Sequence, residues 1–113
     1  MAIRLSSLDF IKHIRLTDDS ISASSEIEGK RIKIPVTKPD HPTAIGIKIY
    51  FHKSYKIIDF DEINSPTKGN GSKMVEAVLS DFPNDWQAAV VMDWSDVYWD
   101  KIKEKHNKIE WIM

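Results

Sequence analysis

The residues best suited to chemistry lie in one stretch, Asp59-Phe60-Asp61-Glu62-Ile63-Asn64-Ser65-Pro66-Thr67-Lys68-Gly69-Asn70-Gly71-Ser72-Lys73-Met74. Three carboxylates precede a polar loop with two glycines, and an amphipathic pattern follows. A carboxylate can accept a proton from a group within about 3 Å, directly or through one water. The loop offers something else. A helix start presents unpaired backbone N–H groups and the positive end of the helix dipole. Glycine removes the side chain that would hold an anion away, so phosphate oxygens can rest on bare amides. The amides of Lys68, Gly69, Asn70, Gly71, Ser72 and Lys73 therefore form a candidate phosphate cradle. The spacing is not that of a P-loop, which needs two glycines five apart followed by Lys and Ser or Thr. Nor is it the three-glycine dinucleotide fingerprint. A plain strand-to-helix turn also fits the glycine pair, and strand carboxylates are more often solvated or paired than catalytic.

A Lys-Gly-x-Gly loop between a long antiparallel strand and a helix resembles the pyrophosphate loop of the GNAT N-acyltransferases, whose pattern is Arg/Gln-x-x-Gly-x-Gly/Ala. Gly69 and Gly71 match its two small positions and Lys68 a commonly basic one, whereas Pro66 stands where the family has Arg or Gln. Tyr98-Trp99-Asp100-Lys101 is similar to the aromatic pair of the family's last helix. Many members carry at the second aromatic a tyrosine that protonates the leaving thiolate. Trp99 occupies that place here, and indole is not acidic enough to replace it. Tyr98, one residue away, is the neighbouring phenol. The resemblance covers about residues 44–113 and leaves out the family's first strand and two early helices.

The resemblance implies an acetyl-CoA or other acyl-CoA co-substrate and an amine acceptor, either a small molecule or a protein. Two parallel strands, 55–63 and 88–92, would splay to admit the pantetheine arm. Backbone groups of Ile63 and Asn64 would hold its amides as an added strand does. Glu62 and Asp61 are the candidate bases. Strict alternation puts Asp59 and Asp61 on one face and Glu62 on the other. The departures at Pro66 and Trp99 leave a second function class open. That is a non-catalytic protein binding CoA, or a partner or second copy of itself, through the tryptophan-rich end (Trp86, Trp94, Trp99, Trp111).

Positioning these groups requires a particular order of elements. Residues 43–53 alternate, with Ile45, Ile47, Ile49 and Phe51 on one face and Gly46, Lys48, Tyr50 and His52 on the other, as a strand does. Ser54 opens a turn into a second strand over 55–63. Phe10–Leu16, Ser20–Ile27 and Arg31–Val36 read as three earlier strands, and a helix over 7–15 capped by Ser6 to Asp9 is the weaker alternative for the first. Asn70–Phe82 carries one helical stripe of Met74, Val75, Val78, Leu79 and Phe82 and stops at Pro83. Ala88–Met92 is a short apolar strand covered on both faces, Ser95–Lys105 a charged helix, and Ile109–Met113 a closing strand. The fold class is α+β: a mixed, mostly antiparallel sheet built as a β-meander and then β–α–β–α–β, in one domain over residues 1–113.

Bulk properties narrow the function. With 16 Lys+Arg against 17 Asp+Glu, the net charge of −1 offers a polyanion no long-range attraction. Nucleic acid and membrane are therefore not expected partners. The chain has no cysteine, which removes disulfides, thiolate metal sites and a cysteine nucleophile and suits a cytoplasmic setting. His13, His41, His52 and His106 form no ligand spacing, so no metal is expected.

Overall fold

The alternating apolar segments assemble into one mixed sheet in a computed structural model, which describes residues 2–38, 41–66, 70–90 and 96–112; at Ala2 and 96–100 only the backbone is described. The elements run α1 (Ala2–Ser6), β1 (His13–Leu16), β2 (Ser20–Ser24), β3 (Ile27–Glu28), β4 (Ile34–Pro35), β5 (Gly46–His52) and β6 (Ile57–Asn64). They continue with α2 (Asn70–Leu79), β7 (Gln87–Val90), α3 (Asp96–Lys105) and β8 (Glu110–Ile112). Six strands form the sheet in the order β1-β2-β5-β6-β7-β8, while β3 and β4 pair separately. Pairing is antiparallel from β1 to β6. It is parallel between β6 and β7 and between β7 and β8, because helices α2 and α3 make the crossovers. The architecture is thus α+β with a mostly antiparallel mixed sheet.

Cross-strand pairs fix which residues share a face. Ile47 faces Ile63, Ile49 faces Phe60 and Phe51 faces Ile58, and Ile21 and Ala23 on β2 continue the same face. Onto it pack Leu5 from α1, Met74, Val75 and Val78 from α2, and Ile102 from α3, all in one core. Burial of a large apolar side chain contributes about 1.5–3 kcal/mol, so this face supplies the main drive to fold. Phe60 lies over Trp111 with ring centroids 6.5 Å apart and planes 17° from parallel. Phe51 meets Trp86 edge-on at 6.5 Å.

Several sequence expectations change. A short helix precedes the sheet at Ala2–Ser6, and the first strand, expected over Phe10–Leu16, shortens to His13–Leu16. The 7–15 helix does not form. Residues 31–36 leave the meander: β2 pairs directly with β5, and β4 pairs with β3 in a small hairpin. Val36 and Thr37 then pass over the polar face of the main sheet, where the Ser24 hydroxyl donates to the Val36 carbonyl at 2.6 Å. The strand expected over 55–63 starts at Ile57, since Lys56 takes a left-handed φ of 55° in the preceding turn. Strand β7 buries Ala88, but Ala89 and Val90 stay half-exposed, so it is not sealed on both faces. The Val91 and Met92 end of that strand lies outside the described residues.

Candidate functional site

Strand β5 has 7 residues and β6 has 8, yet both ends pair, Gly46 with Asn64 and His52 with Ile57. One residue of β6 must be extra. The register places it at Asp61: Lys48 opposes Glu62, and the next residue, Ile49, opposes Phe60. A bulge leaves its extra residue unpaired and re-aims the side chains around it. This corrects the expected alternation. Glu62 and Asp59 oppose Lys48 and Tyr50, so they share the face away from the helices, and Ile63 returns to the core at 6% exposure.

Two adjacent carboxylates therefore meet different surroundings. Glu62 Oε1 accepts a hydrogen bond from the Thr37 hydroxyl at 2.9 Å, and Thr37 is itself buried. Burial pushes the Asp61 carboxyl above the usual carboxylate range, and the Glu62 charge pushes it further; Lys48 pulls the other way and Asp59 adds slightly. Lys48 holds its proton more tightly than usual through contact with Tyr50, against the opposing effect of burial, and the charges of Glu62 and Asp61 assist. Its Nζ lies 5.0 Å from the Tyr50 ring centroid. His52 Nε2 and Asp59 Oδ2 are in direct contact on the same face. A carboxyl that keeps its proton more readily than usual is suited to proton-transfer work.

The strand end joins a second feature. After Phe60, which is level with Val90 on β7, strand β6 runs on to Asn64. The Asn64 side chain is buried and donates to the carbonyls of His41 at 2.9 Å and Ala44 at 2.7 Å. Its amide group thus ties the 41–44 loop to the strand and is not free for a ligand. Helix α2 begins at Asn70, and Gly71 sits over the end of β6. A Cβ built on Gly71 would come 3.7 Å from Ser65 Cβ and 3.9 Å from Ile63 Cγ2, ordinary contacts at an ordinary φ. The fold does not require glycine there. Ser72 and Lys73, from the same first turn, line a shallow groove of about 510 Å³ shared with Arg4, Leu8, Lys101 and Ile102. Arg4 is tied to Asp81 at 2.9 Å. Lys73 and Lys101, both exposed, line this groove, as do Lys105 and its partner Glu76.

Of the residues singled out in the sequence, Asp61, Glu62, Ile63, Asn64, Asn70, Gly71, Ser72 and Lys73 gather along the end of β6 and the start of α2. Lys68 and Gly69 lie outside the described residues, as do Trp94 and the side chains of Tyr98 and Trp99. Thr37, Lys48 and the His52–Asp59 contact escaped the sequence reading. The bulge had a signal: the apolar spacing in β6 runs 58, 60, 63 instead of 58, 60, 62. Among the described residues, no group of three or more His, Asp and Glu is placed to hold a metal. No helix among them is long and apolar enough to cross a membrane.

No family model, curated protein or solved structure matches the chain.

Proposed function

We propose that the chain is an acyltransferase that moves an acetyl or other acyl group from CoA to an amine. The observation that carries this reading is Gly71: a glycine in the first turn of a helix, over a strand end, at a place where the fold accepts a Cβ. A helical glycine costs about 1 kcal/mol relative to alanine, and close approach of an anion to the backbone is a reason to keep one. The cationic groove beside that turn suits the same phosphorylated ligand.

In this reading Asp61 takes one proton from the ammonium form of the acceptor. The freed nitrogen lone pair forms the C–N bond to the thioester carbon as the C–S bond breaks. The nitrogen's second proton ends on the CoA sulfur, giving amide and free thiol. The Glu62 carboxylate, held by Thr37, lies beside Asp61 on the same strand.

The test is thiol release from acetyl-CoA with a panel of primary amines. Amine-dependent release that falls about 100-fold in Asp61→Asn supports the reading. No release with any amine, although acetyl-CoA binds, favours the second reading of a CoA-binding protein without turnover, which Pro66 and Trp99 motivate. Of the tryptophans in the partner-binding reading, Trp86 and Trp111 are partly buried and pack on the core.

A further inference from the structure

Between β2 and β5 the chain carries Val36 and Thr37 over the polar face, and this segment is fastened at three points. Val36 N donates to the Glu26 carbonyl at 2.9 Å and the Val36 carbonyl accepts from Ser24; Asn64 holds the His41 and Ala44 carbonyls; and Thr37 donates to Glu62. The first two fasten the segment to the sheet. The third reaches a carboxylate on the half-exposed face beside the bulge. A threonine with 5% exposure is committed to it from 25 residues away in the sequence. We propose that Thr37 is a positioning residue, whose hydroxyl holds Glu62 against Asp61 so that Asp61 serves as the proton acceptor.

The proposal rests on the acyltransferase reading and adds what regulates its base. Glu62 and Asp61 are sequence neighbours on a bulge, where side-chain directions are not set by strand alternation. Glu62 is long enough to swing away over the face. The Thr37 hydrogen bond removes that freedom and keeps its charge near Asp61. Among the described residues, the titratable groups sharing this face are Lys48, Tyr50 and His52 on β5, Asp59 on β6, His13 and Arg15 on β1 and Glu110 on β8, while β2 contributes Ser20, Ser22 and Ser24 and β7 Gln87 and Ala89. Lys38, next to Thr37, is exposed. Of these, Lys48 opposes the Glu62 effect on Asp61, so the outcome depends on where Glu62 is held.

The experiment follows the Asp61 side-chain carboxyl by carbon NMR as a function of pH in the full chain without ligand. Thr37→Val keeps the shape and removes the donor. Its Asp61 midpoint is expected to move to lower pH, and amine-dependent thiol release to fall about tenfold at neutral pH; Thr37→Ser keeps both as in the wild type. A folded Thr37→Val with the wild-type midpoint overturns the role of Thr37 alone. If Thr37→Val does not fold, Thr37→Ser carries the test, and a displaced midpoint in it overturns the proposal. Absence of acetyl-CoA binding in the wild type removes the reading underneath, and the proposal with it.

Discussion

Gly46 lies directly beneath Val36: a Cβ on Gly46 would come 2.4 Å from the Val36 carbonyl oxygen and 3.1 Å from that of Ala23. The crossing segment can therefore reach Thr37 to Glu62 only because this strand position carries no side chain. Backbone atoms cannot move aside as a flexible side chain can. Gly46→Ala is expected to cost about 3 kcal/mol, read as a lower urea midpoint with unchanged slope. A loss under about 0.5 kcal/mol would show that the segment does not lie on the strand as described.

Gly71 predicts the opposite. Because a Cβ there meets only ordinary contacts, Gly71→Ala is expected to stabilise the chain by about 0.5–1 kcal/mol through helix propensity. The same methyl is expected to weaken CoA binding at least tenfold, by holding the phosphates off the first-turn amides. Denaturation and calorimetry on one variant separate the two effects. Greater stability with unchanged affinity would make Gly71 a residue of the turn and nothing more.

Helix α3 is tied to α2 through Glu76, which meets Lys105 at 3.0 Å and His106 at 2.9 Å. Burial pushes the Glu76 carboxyl up, but the hydrogen bonds from Lys105 and then His106, with both charges, bring it below its usual value of 4.5. A carboxyl depressed on folding stabilises above its unfolded pKa, and the stabilisation is lost as pH falls through the folded one. Glu76→Gln is expected to lower stability by up to about 1 kcal/mol at neutral pH, given the exposure of the pair. The difference from wild type is expected to vanish as pH falls through the lowered folded value. A difference in melting temperature that persists in acid would contradict this.

Asp61 carries the reverse sign. Its carboxyl is raised on folding, so the stability it lends is full below the unfolded value of 3.8 and is lost as pH rises through the folded one. Asp61→Asn is expected to gain about 0.5 kcal/mol or less at neutral pH while losing thiol release. Melting curves of both proteins at neutral and acid pH check it, and a destabilised variant at neutral pH would show that the ionised carboxyl is held by partners.

What could be read in advance was what local pattern controls. Ile47 and Ile49 alternate with Lys48 and Tyr50, and Met74, Val75, Val78 and Leu79 mark the buried stripe of α2. Both periods follow from backbone geometry. The face of Glu62 differs from strict alternation because the period breaks in the step from Phe60 to Ile63, where a three-residue apolar spacing signals the bulge. Helix α1 has only 5 residues and owes its helicity to packing of Leu5, not to propensity. Residues 31–36 have strand composition, but their departure over Gly46 depends on tertiary contacts. Thr37 was unreadable for the same reason, since nothing local joins it to Glu62.

The account turns on a phosphorylated ligand at the corner between β6 and α2. Isothermal titration of the wild-type chain with acetyl-CoA and with CoA tests this most directly. Both are expected to bind with one site and a dissociation constant below about 1 mM, or about −4 kcal/mol, weakening as salt is added because charges at the groove are screened. No heat of binding for either ligand at millimolar concentration would contradict it.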